Sequence, residues 1–127
     1  MKVLSFLGVA LMLAACGGPS RSVSFVEPAD GATVSSPVHV EMAATGLQIE
    51  PALEVREGAG HFHIMVDTPC VTPGQTIPSD EDHLHFGRAQ TSTELDLPPG
   101  EHTLCLQAGD GAHTALDLQQ QITVTVQ

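Results

Sequence analysis

Seven histidines stand in a chain of 127 residues, and four of them form two pairs, His61-Phe62-His63 and His83-Leu84-His85. Imidazole is neutral near pH 7 and offers a ring-nitrogen lone pair, which suits zinc, copper and nickel. A spacing of two puts both rings of a pair on the same face of an extended strand. If the two strands are neighbours, four imidazoles share one patch. Met65 continues the row of His61 and His63, and its thioether tilts the choice toward copper. His113 follows the Gly109-Asp110-Gly111 turn and can reach the patch as a further ligand. The run Ser79-Asp80-Glu81-Asp82 adds a negative potential that attracts cations. The expected ligands are therefore His61, His63, His83 and His85, with Met65 and His113 as auxiliaries around a copper or zinc ion. Calcium fits poorly, because residues 80–82 lack the ligand spacing of a calcium loop.

The outlying histidines read differently. His102 shares parity with Leu104, which predicts a hydrogen-bonded structural role, and His39 alternates with Val38 and Val40, which predicts a solvated ring. A single pair on a wet strand face occurs often without an ion. It is the recurrence of the pair that argues for a metal.

The elements that must position these rings show a period of two. Phe62, Ile64 and Val66 alternate with the first pair, and Leu84 and Phe86 with the second. The same alternation runs through Val38-Val40-Met42, Leu95-Leu97, Leu104-Leu106-Ala108 and Ile122-Val124-Val126, each row apolar toward a core and polar toward water. Turn signals separate the rows at 28–31, 73–74, 98–100 and 109–111. Short strands between such turns predict an all-β fold, an antiparallel β-sandwich. Its opening and closing strands resemble those of an immunoglobulin-like domain. Gly60 and Gly87 bracket the paired stretches and predict bulges or close backbone approach.

The N-terminus reads as an address. Lys2 precedes an apolar stretch from Val3 to Leu13, too short to span a bilayer, and Leu13-Ala14-Ala15-Cys16 reads as a lipobox. Residues 1–15 are then a lipoprotein signal peptide, Cys16 is lipidated, residues 16–22 are a flexible tether, and 23–127 form one domain. Acyl chains on Cys16 would anchor the protein to a membrane. Gly17 rather than Asp after Cys16 leans toward the outer membrane, facing the periplasm. Cys70 and Cys105 remain, and an exported chain with an even pair predicts a disulfide, a thiolate metal site being the alternative.

Charge excludes some partners. Four basic side chains stand against fifteen acidic ones, for a net charge of -11. Nucleic acid and anionic headgroups both need a Lys/Arg footprint that is missing here. With four Phe and no Tyr or Trp, aromatic platforms for sugars or bases are scarce too.

The segments GHFHIMVD, IPSDEDHLHFGRAQTSTELDLPPGEHTLCL and GDGAHTALD together resemble an exported bacterial family, domain-of-unknown-function family 4399. The resemblance covers roughly 23–127 and implies a small secreted or lipid-anchored domain rich in histidine motifs. It implies no activity. Phe62 stands where the family pattern leads one to expect a third consecutive histidine, at a core-facing position.

Three classes of function follow. The first is a metal-binding lipoprotein that buffers, senses or transfers its ion. The second is a metal-independent interaction module of the envelope, with a protein partner. The third is a metal-dependent oxidoreductase. His-Phe-His-Ile is similar to a strand of copper-zinc superoxide dismutase, but that family's bridging histidine and Asp ligand have no counterpart here. A cupin-like oxygenase meets the same objection, because Asp67 replaces the expected Glu. No Gly-x-Ser-x-Gly elbow points to a hydrolase.

Overall fold

The computed structural model describes residues 20–127. The signal segment 1–15, Cys16 and the first part of the tether lie outside them. The described residues form nine strands: β1 (Ser22–Glu27), β2 (Thr33–Val34), β3 (Val38–Thr45), β4 (Gln48–Ile49), β5 (Ala59–Val66), β6 (His83–Phe86), β7 (Ser92–Leu95), β8 (Gly100–Gly109) and β9 (Ala115–Val126). β1 opens inside the segment read as tether, with Ser22 paired to Thr45.

The strands form two sheets. One has the order β1-β3-β7, and the other runs β2-β9-β8-β5-β4, with β6 also paired to β5. Taking β1, β3 and β7 as A, B and E, and β5, β8 and β9 as C, F and G, this is the sheet division of an immunoglobulin-like sandwich. Most pairings are antiparallel; the two-residue strands β2 and β4 pair in parallel with β9 and β5.

The alternating rows meet between the sheets. Val23, Phe25, Val38, Val40, Met42 and Leu95 come from the smaller sheet, and Phe62, Ile64, Leu104, Leu106, Ile122 and Val124 from the larger. Phe62 and Ile64 are fully buried, and removing each side chain from water contributes roughly 1.5–3 kcal/mol. This inward row locks the parity of β5, since a one-residue slip would turn the histidines into the core.

The other face of β5 departs from the expectation of a polar, wet surface. His61, His63 and Met65 are buried as completely as Phe62. The segment between β5 and β6 folds back across that face. The Ile77 N–H donates to the His113 carbonyl at 2.8 Å, and the Ala115 N–H to the Gln75 carbonyl at 2.8 Å. Gln107 clamps the same segment: its Oε1 accepts from the Val71 N–H at 2.8 Å and its Nε2 donates to the Val71 carbonyl at 2.7 Å. A disulfide joins Cys70 to Cys105, whose Cα atoms are 5.6 Å apart. Met65, Ile77, Cys105 and Ala115 form a second small core beneath this cover.

Candidate metal centre

β5 and β6 are antiparallel neighbours in a register that sets His63 opposite His85 and Met65 opposite His83. Both pairs therefore face the covered side of the larger sheet. A third segment enters from the β8–β9 turn. Asp110 Oδ1 accepts the backbone N–H groups of Ala112 and Thr114, both at 2.9 Å, and this holds His113 in a left-handed conformation with φ 62°.

Four rings converge as a result: His61 and His63 from β5, His85 from β6 and His113 from the turn. Every pair among them has ring centroids between 4.6 and 5.9 Å apart. The Nε2 atoms of His61 and His63 are 2.8 Å apart, and those of His85 and His113 are 3.0 Å apart. His61, His63 and His85 each present a ring nitrogen within 4.8 Å of the others, close enough for one ion to be held by all three.

Glycine makes this crowding possible. A Cβ at Gly109 would lie 2.9 Å from His63 Nε2, and one at Gly87 would collide with the His85 ring. A Cβ at Gly60 would lie 2.6 Å from the Gly109 carbonyl, which is the close backbone approach expected there. Gly109 was legible only as a turn residue. Its role beside His63 needs the β5–β8 register, in which His61 faces Gly109.

Burial sets the electrostatics. His63 is pushed down to about 3, first by burial and then by repulsion from His61, His85 and His113. His61 is pushed down to about 4, again by burial first and then by His85 and His113, with Asp110 opposing. His85 is lowered by burial and by His113. The two inner rings are thus neutral throughout the physiological range, the form in which imidazole can ligate. Their Nδ1 atoms have no hydrogen-bond partner, so no outer group locks either tautomer. The outer rings are accessible. His85 is exposed, and it shares with His63, His113, Ile77 and Ser79 the wall of a cleft of about 360 Å³.

The other candidates are placed elsewhere. The structure leaves His83 outside the four-ring group: its Nδ1 lies 2.7 Å from Asp80 Oδ1, which also accepts the His83 backbone N–H at 3.0 Å. The Asp80-x-x-His83 spacing was the available signal, since Asp favours such local turns. Met65 is fully buried on the row of His61 and His63 and packs with the disulfide and Ile77. His113, expected as an auxiliary, joins the ring cluster through its 3.0 Å contact with His85, outside the group of ring nitrogens of His61, His63 and His85 that lie within 4.8 Å of one another. Cys70 and Cys105 bond to each other rather than joining it.

His102 has the structural role read from its parity. Its Nδ1 lies 2.7 Å from Asp67 Oδ2 and its Nε2 2.7 Å from the Pro98 carbonyl. Both partners accept, so both ring nitrogens donate, and Asp67 raises the affinity of His102 for its second proton. His39 lies on the outer face of the smaller sheet among Glu94, Glu41 and Glu27, which likewise favour its charged form, Glu94 most.

Searches of curated proteins and of solved structures return no match to this chain. A family model does match, described as Domain of unknown function (DUF4399), over residues 40–127. That stretch holds all four clustered histidines, both cysteines of the disulfide and the glycines that make room for the rings, and the chain belongs to this family.

Proposed function

We propose that the protein binds one transition-metal cation through His61, His63, His85 and His113, and that it buffers or hands on that ion at the bacterial envelope, held there by lipid on Cys16. The observation that carries this reading is the convergence of four imidazoles from three separate chain segments, with no Lys, Arg or carboxylate among them. A ring cluster serving only to fill space would be made of Phe or Leu, which leave no buried nitrogen without a partner.

The spacing of the donors suits the proposal. Metal–nitrogen bonds of about 2.05 Å place neighbouring ligands about 2.9 Å apart in a square arrangement and about 3.3 Å apart in a tetrahedral one. The Nε2 separations of 2.8 and 3.0 Å straddle the first value and lie a few tenths of an ångström below the second. The same separations suit N–H···N hydrogen bonds, which pair the rings when no ion is bound. An all-imidazole set suits copper(II) and zinc alike; His61, His63 and His85 already lie within reach of one ion, and a movement of the His113 ring completes the set. His61 and His63 form the fixed inner half. His85 and His113, at the mouth of the cleft, are the half through which an ion would enter and leave.

Calorimetric titration of the purified protein with Cu(II) and with Zn(II) tests this. One ion per chain is expected, bound more tightly than about 10 μM, which is about 7 kcal/mol of binding free energy. His63→Ala and His113→Ala should abolish or strongly weaken binding, whereas His102→Gln and His39→Gln should not. Absence of binding at that level, or equal loss with the His39 variant, would remove the proposal.

A further inference from the structure

β6 and β7 are edge strands of opposite sheets. Among the described residues, β6 pairs with β5 and β7 pairs with β3, and each has a second edge without a strand partner. A groove of about 430 Å³ runs between them, within the size range of ligand pockets, roughly 300–1,000 Å³. Its floor is apolar, formed by Leu84, Leu95 and Leu97. Its rim is acidic: Glu81 and Asp82 stand on one side, Glu94 and Asp96 on the other, all exposed. No arginine lines it; Arg21, Arg56 and Arg88 all lie elsewhere.

We propose that this groove docks an extended polypeptide segment of a partner protein, with lysine or arginine side chains alternating with apolar ones. Each feature selects for part of that description. The outer backbone edges of β7 and of β6 beyond His83, whose own N–H is taken by Asp80, call for a ligand with amide N–H and carbonyl groups, which a polypeptide supplies by adding a strand. The leucine floor receives the apolar side chains of one parity. Glu81, Asp82 and Asp96 receive cationic side chains at the margins, Glu94 being already paired with His39, and the acidic rim repels anionic partners, membranes of anionic lipid included. A small polyamine would satisfy the carboxylates alone. Of the four proposed ligands only His85 lines the groove, while His61, His63 and His113 lie outside it, so a test in chelator separates this proposal from the metal reading.

The test uses the purified protein in chelator, with three probes: a fluorescein-labelled peptide of alternating valine and lysine, its valine–glutamate counterpart, and spermine. Anisotropy gives affinity, and amide chemical shifts give location. The valine–lysine peptide should bind, with the largest shifts confined to 83–86 and 92–97. Combined Glu81→Gln, Asp82→Asn and Asp96→Asn should weaken it about tenfold, as the loss of three modest exposed ion pairs implies. Raising salt from about 50 to about 300 mM should act in the same direction. These side chains are exposed, so the fold is expected to hold, and an unchanged amide spectrum away from the groove checks it. The proposal is overturned if the valine–lysine peptide fails to bind, if shifts fall mainly outside the two edges, if the neutralised protein binds equally well, if the valine–glutamate peptide competes equally, or if spermine alone reproduces the edge shifts.

Discussion

Acid should destabilise the metal-free protein, because two of its histidines are buried without charge. His61 and His63 have folded pKa values near 4 and 3, while the unfolded chain restores both to about 6.5. Above pH 6.5 neither state takes up the proton and the full stability is present. As pH falls below 6.5 the unfolded chain protonates first, so stability is lost progressively until the folded values near 4 and 3 are passed. At pH 5.5 an unfolded histidine gains about 1.4 kcal/mol from protonation and a folded ring with a value of 4 or below gains almost nothing, so the two together cost about 2.7 kcal/mol relative to pH 7.5. His85, also lowered, adds in the same direction. His102 and His39 oppose it, since their folded values are raised and their pairs strengthen as pH falls. Urea unfolding in chelator at the two pH values, for the native protein and for His61→Gln, isolates the effect. The variant should lose about half of the 2.7 kcal/mol pH dependence ascribed to the two inner rings. Ring-proton titration by NMR supplies the direct check. If the His63 ring titrates between pH 6 and 7 in the folded protein, or the variant keeps the full dependence, the account of a buried neutral pair is refuted.

Four further outcomes are expected. Saturating Cu(II) or Zn(II) at about one hundred times Kd should stabilise the native protein by about 2.7 kcal/mol, raising Tm by roughly 10–20 °C in a scanning experiment, and His63→Ala should abolish the shift. Gly109→Ala places a methyl group against His63 Nε2 and should reduce metal affinity at least tenfold by calorimetry while the circular dichroism of the fold persists. Cys70→Ser with Cys105→Ser opens a loop with a sequence separation of 35 and should cost roughly 3 to 4 kcal/mol in urea unfolding. The same variant loosens the cover over His63, so metal affinity should fall with it. Cys16→Ser should eliminate incorporation of labelled fatty acid and move the protein from the membrane to the soluble fraction of its host.

Much of the architecture was legible in the residues because it is local. A period of two assigns Phe62 and Ile64 to one face and His61 and His63 to the other whatever β5 pairs with, and the recurrence at Leu84 and Phe86 does the same for β6. The disulfide was readable from an even cysteine count taken together with the reading of the N-terminus as an export signal. His102 was readable from its parity with Leu104, though Asp67 and the Pro98 carbonyl were not, since they come from other segments.

Membership of the cluster was decided by contacts that parity does not contain. Alternation says which way a ring points, but not whether water or protein lies there. The face bearing His61 and His63 is dry because the segment tied down by Cys70–Cys105 and Gln107 crosses it, and this takes pairings between residues 35 and 36 positions apart. His83 points the same way as His85 but is captured by Asp80 within its own turn. His113, with no strand periodicity to declare it, is carried in by a turn that Asp110 organises and a backbone bond from Ile77. Sequence alone determined the sandwich, the facing of the two histidine pairs and the cysteines free to join. Tertiary structure alone decided which four rings meet, because burial and proximity depend on what the distant chain lays over a strand, and a strand's own repeat has no term for that.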